Sequence, residues 1–454
     1  MNLSDLIASV LNVVWGPPMM VLLLGTGIFL TIRYKFLQIR GLKHGFGILS
    51  GKYDRERDPG EISHFQALTT ALSATVGTGN IVGVAAAIMM GGPGAVFWMW
   101  VTAFFGMAVK FTSCTLAVRF RKVDESGVAH GGPMHYIEIG MGKKFKWLAV
   151  LYAVFTIIAS FGIGNMFQIN NVVVSLNFLI HGEQASGFTF NLIAGIVIAV
   201  LVGIVILGGI KKIGKATAKI VPFMAFFYIG AGLIIILKNL PAIPEVFLDI
   251  FYYAFHTPEA IGGGVLGTVI RHGVARGLFS NEAGLGSTAI AHGAAKTKEP
   301  VREGLVAMLE PFIDTIVICS ITAFAILSSG VHEIANVKGE LTALAFQSVL
   351  GPAGGRIVAL GIIFFAFSTL ISWPYYGDRA SDYLFGEKAV KPYRFVFLAF
   401  IVLGAVTKIN VVIGFSDIMN AMMALPNLIA LIVLSPVVVK LSRDYFRRRK
   451  DQHF

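Results

Sequence analysis

Two stretches of this sequence place glycine, hydroxyl and amide residues in the middle of long apolar runs. One reads SATVGTGNIVG over 73–83, and the other reads GVARGLFSNEAGLGSTAIAH over 273–292. A glycine costs about 1 kcal/mol relative to alanine inside a helix, so both stretches read as places where a helix unwinds. Backbone groups freed at bilayer depth must find protein, water or ligand partners. Exposed N–H groups at the start of one half-helix attract an anion such as a carboxylate. Exposed carbonyls at the end of the other half attract a small cation. Two other readings compete. Gly79 and Gly83 also fit a close-packing site between helices. A nucleotide-binding loop needs a preceding strand and an acidic residue about 20 positions on, and neither accompanies these glycines.

The elements that position these stretches are membrane helices. The chain has 454 residues, 56% hydrophobic and 14% charged, with a mean hydropathy of +0.75. That apolar excess excludes a soluble multidomain enzyme, and the 36 Phe exclude a disordered chain. The apolar runs are continuous rather than alternating, which excludes a transmembrane barrel. At about 20 apolar residues per crossing, eleven segments emerge: 6–32, 63–90, 93–118, 147–180, 188–209, 216–237, 261–292, 303–330, 353–377, 393–407 and 411–439. The first has no basic residue before it and is too long for a secretory leader, so it reads as a retained helix. The seventh is the least regular, because it carries Arg271, His272, Arg276 and Glu282.

The net charge of +12 reads as topology rather than as nucleic-acid binding. With the N-terminus outside, the inner loops are 33–62, 119–146, 210–219, 293–302, 378–394 and the tail from Lys440; they hold 30 of the 37 Lys and Arg. The outside holds four, Lys238, Lys338, Arg356 and Lys408. This bias predicts a cell-membrane protein with its N-terminus outside and its C-terminus in the cytoplasm. The outer stretch 240–260, with Phe247, Leu248, Phe251, Tyr252 and Phe255, reads either as an amphipathic helix across the outer mouth or as a loop packed on helix tops. Cys114 and Cys319 sit in apolar runs and read as buried small hydrophobes. The ten His show no metal-ligand spacing.

With the first segment set aside, ten remain, and the two glycine-broken ones are the first of each five. Five is odd, so the second set enters the membrane from the opposite side. The expected fold is an all-α polytopic membrane protein with an inverted repeat, in which two broken helices meet at the midplane. Its parts are an extra helix and loop over 1–62, a first repeat over 63–238, a second over 239–439 and a basic tail over 440–454.

The same residues carry a resemblance. SATVGTGNIVG looks like the first core helix of amino-acid symporters with the leucine-transporter fold, and GVARGLFSNEAGLGSTAIAH closely resembles the signature of the alanine or glycine:cation symporter family. The likeness covers essentially the whole chain. It implies uptake of alanine or glycine coupled to sodium influx by alternating access, in the lipid bilayer, with sodium as the co-transported ion.

Matching by motif, the resemblance implies a sodium site built from the carbonyls of Ser73 and Val76, the carbonyl of Phe365 and the hydroxyls of Ser368 and Thr369. Positions 365, 368 and 369 share one helix face. Back-bonding of Ser368 and Thr369 to their own helix is the bland alternative. The amides of Gly77, Thr78, Gly79 and Asn80, beside Thr75, are candidates for the substrate carboxylate. Carbonyls of Gly277, Leu278 and Phe279 are candidates for its ammonium, and Asn165 and Gln168 for further polar contacts. Helix–helix hydrogen bonds are the alternative for Asn165, Gln168, Asn170 and Asn171. Trp373, four residues after Thr369, is expected to limit side-chain size, with Phe279 as a second wall; its alternative is an interfacial belt residue.

Charged residues within segments must face protein or water. Arg276 and Glu282 are expected to form a gate or to fix the two half-helices to each other, Glu310 to mark a helix distortion before Pro311, and Lys110 to snorkel or pair. Asp314 and Asp417 complete the set. Three rivals remain: a proton-coupled carrier of the same fold, a channel, and an intramembrane enzyme using Glu310 and Asp314. The last lacks a metal-ligand His, and no phosphate-binding GxxxxGK[ST] motif is present.

Overall fold

The structure is a computed structural model that describes residues 16–55, 58–182, 187–256, 264–334, 341–407 and 409–450. Residues 6–15 of the first expected segment, 261–263 of the seventh and 257–260 of the expected surface helix lie outside the described residues, as does the side chain of Asp417.

Among the described residues helices dominate, with one two-stranded hairpin, β1 (Lys122–Val123) and β2 (Ala129–His130). The helices used below are α1 (Pro17–Arg33), α2 (His64–Thr75), α3 (Val82–Gly91), α4 (Gly94–Arg119), α5 (Lys146–Phe161) and α6 (Phe167–His181). They continue with α7 (Phe188–Ile206), α8 (Gly209–Lys238), α9 (Ile243–Tyr253), α10 (Gly264–Asn281), α11 (Thr288–Gly293) and α12 (Pro300–Ala307). The last are α13 (Ser320–Ser328), α14 (Leu341–Leu350), α15 (Pro352–Phe385), α16 (Val390–Val406) and α17 (Ile409–Lys450). Among the described residues, eight helices are long and apolar enough to cross a membrane, and α2 with α3 makes a ninth span bent by 62°.

The bend falls where the glycines stand. Ser63 caps α2 by accepting from the Gln66 N–H, and the Gln66 side chain returns the bond to the Ser63 N–H. The helix stops at Val76, and a single 3-10 turn, Thr78–Asn80, separates it from α3. The second stretch breaks later than Gly277. Helix α10 runs unbroken through Asn281, and the chain then opens over 282–287. Glu282 takes φ +52, and Gly284 and Gly286 take φ +104 and +77. A side chain at Gly286 would be strained by that φ and would also stand 2.7 Å from Pro133.

Two π-helical turns interrupt other spans, Gly162–Met166 between α5 and α6, and Phe312–Cys319 before α13. Such turns shift backbone carbonyls out of register and gather at functional sites. The second begins just after Pro311, where Glu310 was expected to mark a distortion.

The basic segments meet at one end. Arg121 donates to the carbonyls of Pro59, Gly293, Ala295 and Thr297. The tail joins through Arg448 and Glu299, and through Tyr445 and His44, 2.8 Å apart. The stretch after α8 is both helical and packed: α9 buries Val246 and Ile250, leaves Phe247, Leu248, Phe251 and Tyr252 exposed, and its C-cap Ala254 accepts from Trp98 Nε1 at 3.1 Å.

Candidate substrate and cation site

Four of the five residues expected to hold sodium converge. The Ser73 carbonyl accepts from Ser368 Oγ at 3.2 Å and from Thr369 Oγ1 at 3.1 Å. The same hydroxyls reach the Phe365 carbonyl at 2.8 and 3.1 Å. Two carbonyls and two hydroxyls therefore form a closed square between α2 and α15, buried to 0% exposure at Ser73, Phe365, Ser368 and Thr369. Val76 is buried at the end of α2, where the last carbonyls of a helix lack intrahelical partners. Ser372 completes the cluster, donating to Ser73 Oγ at 2.6 Å, and Ser73 Oγ donates to the Ser368 carbonyl at 2.6 Å. All donor atoms are hard neutral oxygens, which suits a hard monovalent cation. The back-bonds to Phe365 are real, so the cluster is satisfied by itself and also able to redirect its lone pairs.

Gly77 links this cluster to the amide of Gln168. A methyl on Gly77 would stand 3.0 Å from Thr369 Oγ1 and 3.6 Å from Gln168 Oε1. Gln168 donates to the Ile163 carbonyl of the first π turn at 3.0 Å and accepts from Thr78 Oγ1 at 3.3 Å. The Gly77 N–H is taken by Asn80 Oδ1 at 3.0 Å. The N–H groups of Thr78 and Gly79 start the 3-10 turn and have no hydrogen bond among the described residues. They are the two amides left to meet a carboxylate. Thr75 back-bonds to Ala71.

Phe279 closes the opposite side. A methyl on Gly79 would stand 3.2 Å from its ring, and Phe167 meets it edge-on at 5.7 Å. Gly277 is not brought here: it packs on Met99 and Thr102 of α4, and the Leu278 carbonyl is used by the Glu282 N–H. Asn165 turns to α16, donating to the Phe397 carbonyl at 2.7 Å, while its Oδ1 is buried without a partner. Asn170 donates to the Thr407 carbonyl just past α16 at 2.8 Å, and Asn171 back-bonds to Phe167.

Trp373 is 0% exposed, so it is not a belt residue. It packs against Gly164, where an added methyl would come within 2.4 Å of Trp373 Cγ, and its Nε1 donates to Glu282 at 3.2 Å. Glu282 therefore does not pair with Arg276. It accepts from Ser287 at 2.5 Å and from Trp373, while Arg276 sits over the Phe279 ring at 5.8 Å.

The spacing of Glu310 and Asp314 suggested a pair, yet they serve different clusters. Asp314 accepts from Asn80 at 2.7 Å, from Ser280 at 2.7 Å and from Thr315 at 2.7 Å, joining both helix breaks through neutral donors. Glu310 lies in a buried ionic chain. His64 bonds Glu303, Glu303 bonds His292 at 2.5 Å, His292 bonds Glu310 at 2.7 Å, and Glu310 bonds Lys110 at 2.8 Å. Lys110 ends the chain on Thr288 at 2.7 Å, so it pairs rather than snorkels. Both ring nitrogens of His292 face carboxylates, so a proton must be held there on the ring or on a carboxylate. The sequence reading missed His64, His292, Glu303 and Ser372. Ser372 was visible as i+4 from Ser368; the others stood at segment edges, where a titratable residue is unremarkable.

The sodium:alanine symporter family model matches residues 1–453. The chain belongs to the sodium:alanine symporter family. A sodium/alanine symporter of Methanococcus maripaludis, AgcS, is 47% identical over 459 residues, covering 100% of this chain and 99% of that protein. A probable sodium/glutamine symporter of Bacillus subtilis, GlnT, is 40% identical and covers 97% of this chain and 90% of its own. The crystal structure of MhsT in complex with L-phenylalanine superposes with a TM-score of 0.59 at 13% identity, covering 83% of this chain and 89% of that one. This likeness shows the leucine-transporter-like fold. The protein is a multi-pass membrane transporter of the symporter class and not an enzyme.

Proposed function

We propose that this symporter carries alanine, and glycine as a smaller substrate, inward together with sodium. One observation carries the reading: the oxygen square of Ser73, Phe365, Ser368 and Thr369 lies one glycine away from the free amides of Thr78 and Gly79 and from Gln168. Sodium sits in the square with Val76 as a further carbonyl. The substrate carboxylate meets the Thr78 and Gly79 amides, Gln168 supplies its own amide, and Trp373 with Phe279 limits the substrate to a small side chain. Eleven crossings with the N-terminus outside and the C-terminus in the cytoplasm, and an inverted repeat of 63–238 and 239–439, suit alternating access around this point.

Labelled alanine uptake into liposomes tests this, with an inward sodium gradient against an equal potassium gradient and a proton ionophore present. Sodium-dependent accumulation supports the proposal; potassium supporting equal uptake overturns it. A proton-coupled carrier is the second reading, and Asp314 favours it, since that carboxylate joins both breaks without a cation on it. Uptake driven by a pH gradient alone, with the ionophore omitted, would select that reading.

A further inference from the structure

At the end where the basic segments meet, α1 and α17 leave a cleft of about 520 Å³. Six cations line it: Arg33, Lys35, Arg40, Arg443, Arg447 and Arg449. No acidic residue lines it. Among the described residues, Arg447 alone of the six has an ion pair, with Asp444 at 3.1 Å. Ser442 also lines the cleft, and its Oγ is buried without a hydrogen-bond partner.

The backbone holds this arrangement at a cost. Lys35 and Phe36 both take φ +55 in the turn after α1, a conformation costing of order 1 kcal/mol for residues with a side chain. That turn carries Arg40 back to the Tyr34 carbonyl, 3.2 Å away. Six like charges around one cavity repel each other, and a bound anion relieves that repulsion. Leu37, Val439 and Phe446 add apolar surface to the cleft lining. Phe29, whose ring lies 5.3 Å from the Arg33 guanidinium, and Ile32 and Ile39, which directly precede Arg33 and Arg40, are exposed at 38%, 64% and 64%.

We propose that this cleft binds the phosphate headgroup of an anionic phospholipid, whose acyl chains lie along Phe29, Ile32 and Ile39. Basic pockets between membrane helices are suited to such headgroups. The apolar flank distinguishes a lipid from a free phosphate, which would need the cations alone. The inference rests on the chain spanning a membrane and not on its substrate or coupling ion.

The test uses the full chain in neutral detergent. Thermal unfolding is followed while phosphatidylglycerol, phosphatidylcholine or inorganic phosphate is titrated in. Phosphatidylglycerol should stabilise at the lowest concentration. Near a membrane each cation contributes roughly a fivefold change in binding. The triple variant Arg33→Gln, Arg40→Gln and Arg443→Gln should then need about a hundredfold more of it. A control triple, Lys143→Gln, Lys144→Gln and Lys388→Gln, removes three exposed charges elsewhere and should leave the titration unchanged. Should the first triple fail to fold, Arg443→Gln alone should shift the midpoint roughly fivefold. The proposal is overturned if phosphatidylcholine stabilises equally, if the control triple shifts as far, or if inorganic phosphate alone saturates the effect.

Discussion

Helix α2 ends in two polar clusters of opposite chemistry. At its start, His64 enters a chain of charges that runs through Glu303, His292 and Glu310 to Lys110. Nine residues on, or about 14 Å along the axis, Ser73 enters a square of neutral oxygens with Phe365, Ser368 and Thr369. Both clusters are fully buried. Neutral hydrogen bonds between membrane helices are worth about 0.6–1.7 kcal/mol each, so they exchange partners at low cost. Stripping one partner from a buried ionic pair costs about 3–5 kcal/mol, so the charged chain does not part under thermal motion. The neutral end joins α2 to α15; the charged end joins α2 to α4, α11 and α12. The contact of α2 with α15 is thus made of cheap bonds, and its contact with α4, α11 and α12 of costly ones.

The largest effect should come from Glu303→Ala, which strips both His64 and His292. Folded yield in detergent should collapse, or the unfolding free energy fall by about 3–5 kcal/mol; a variant that melts with the wild type would show that the charged end holds nothing. Next, Lys110→Met should cost nearly as much alone, while adding Glu310→Leu should recover part of the loss. A double-mutant cycle should give a coupling of about 0.5–3 kcal/mol, and strictly additive effects would break the account of a shared chain. At the neutral end the balance reverses. Ser368→Ala or Thr369→Val should cost stability only about 0.5–1.5 kcal/mol. Half-saturating sodium for alanine uptake should rise about tenfold, the equivalent of losing one ligand worth about 1.4 kcal/mol; an unchanged sodium dependence would remove the cation from this square.

The smallest effect concerns His130, outside the spans on the hairpin. The hydrogen bond to Asp382 at 2.8 Å holds its pKa above the ordinary histidine value, and the bond to Asp124 adds to this against partial burial. A raised folded pKa stabilises fully below the ordinary value and loses that stabilisation as pH rises through the folded one. Thermal unfolding between about pH 6 and pH 9 should therefore show a decline that His130→Gln flattens slightly. A decline of the same size in both proteins would leave His130 without a part in it.

Much of this was legible in residue type and spacing. Ser368 and Thr369 lie three and four residues after Phe365, so any helix there must present them together. The glycines of 73–83 mark a real break, because nothing in the chain offsets their cost except an irregular backbone with a use. The second break was legible only roughly. Gly277 invited unwinding, yet packing against Met99 and Thr102 makes a glycine there useful inside a helix, and the opening comes at Glu282 instead. The expected Arg276–Glu282 pair failed for a geometric reason. Six residues apart and divided by the helix end, one side chain stacks on Phe279 and the other reaches Trp373.

By itself the sequence determined that this chain lives in a membrane, where the first of its two helix breaks falls and that Phe365, Ser368 and Thr369 share one helix face. Each of these follows from local composition and helical period, which neighbours along the chain set. Only the tertiary structure decided that His64, His292 and Glu303 join Lys110 and Glu310, that Asp314 parts from Glu310, and that Trp373 faces Glu282. Those pairings span up to 239 positions of sequence. They depend on which helix faces turn toward one another, and on π turns and a strained residue at 282 that no local pattern prescribes.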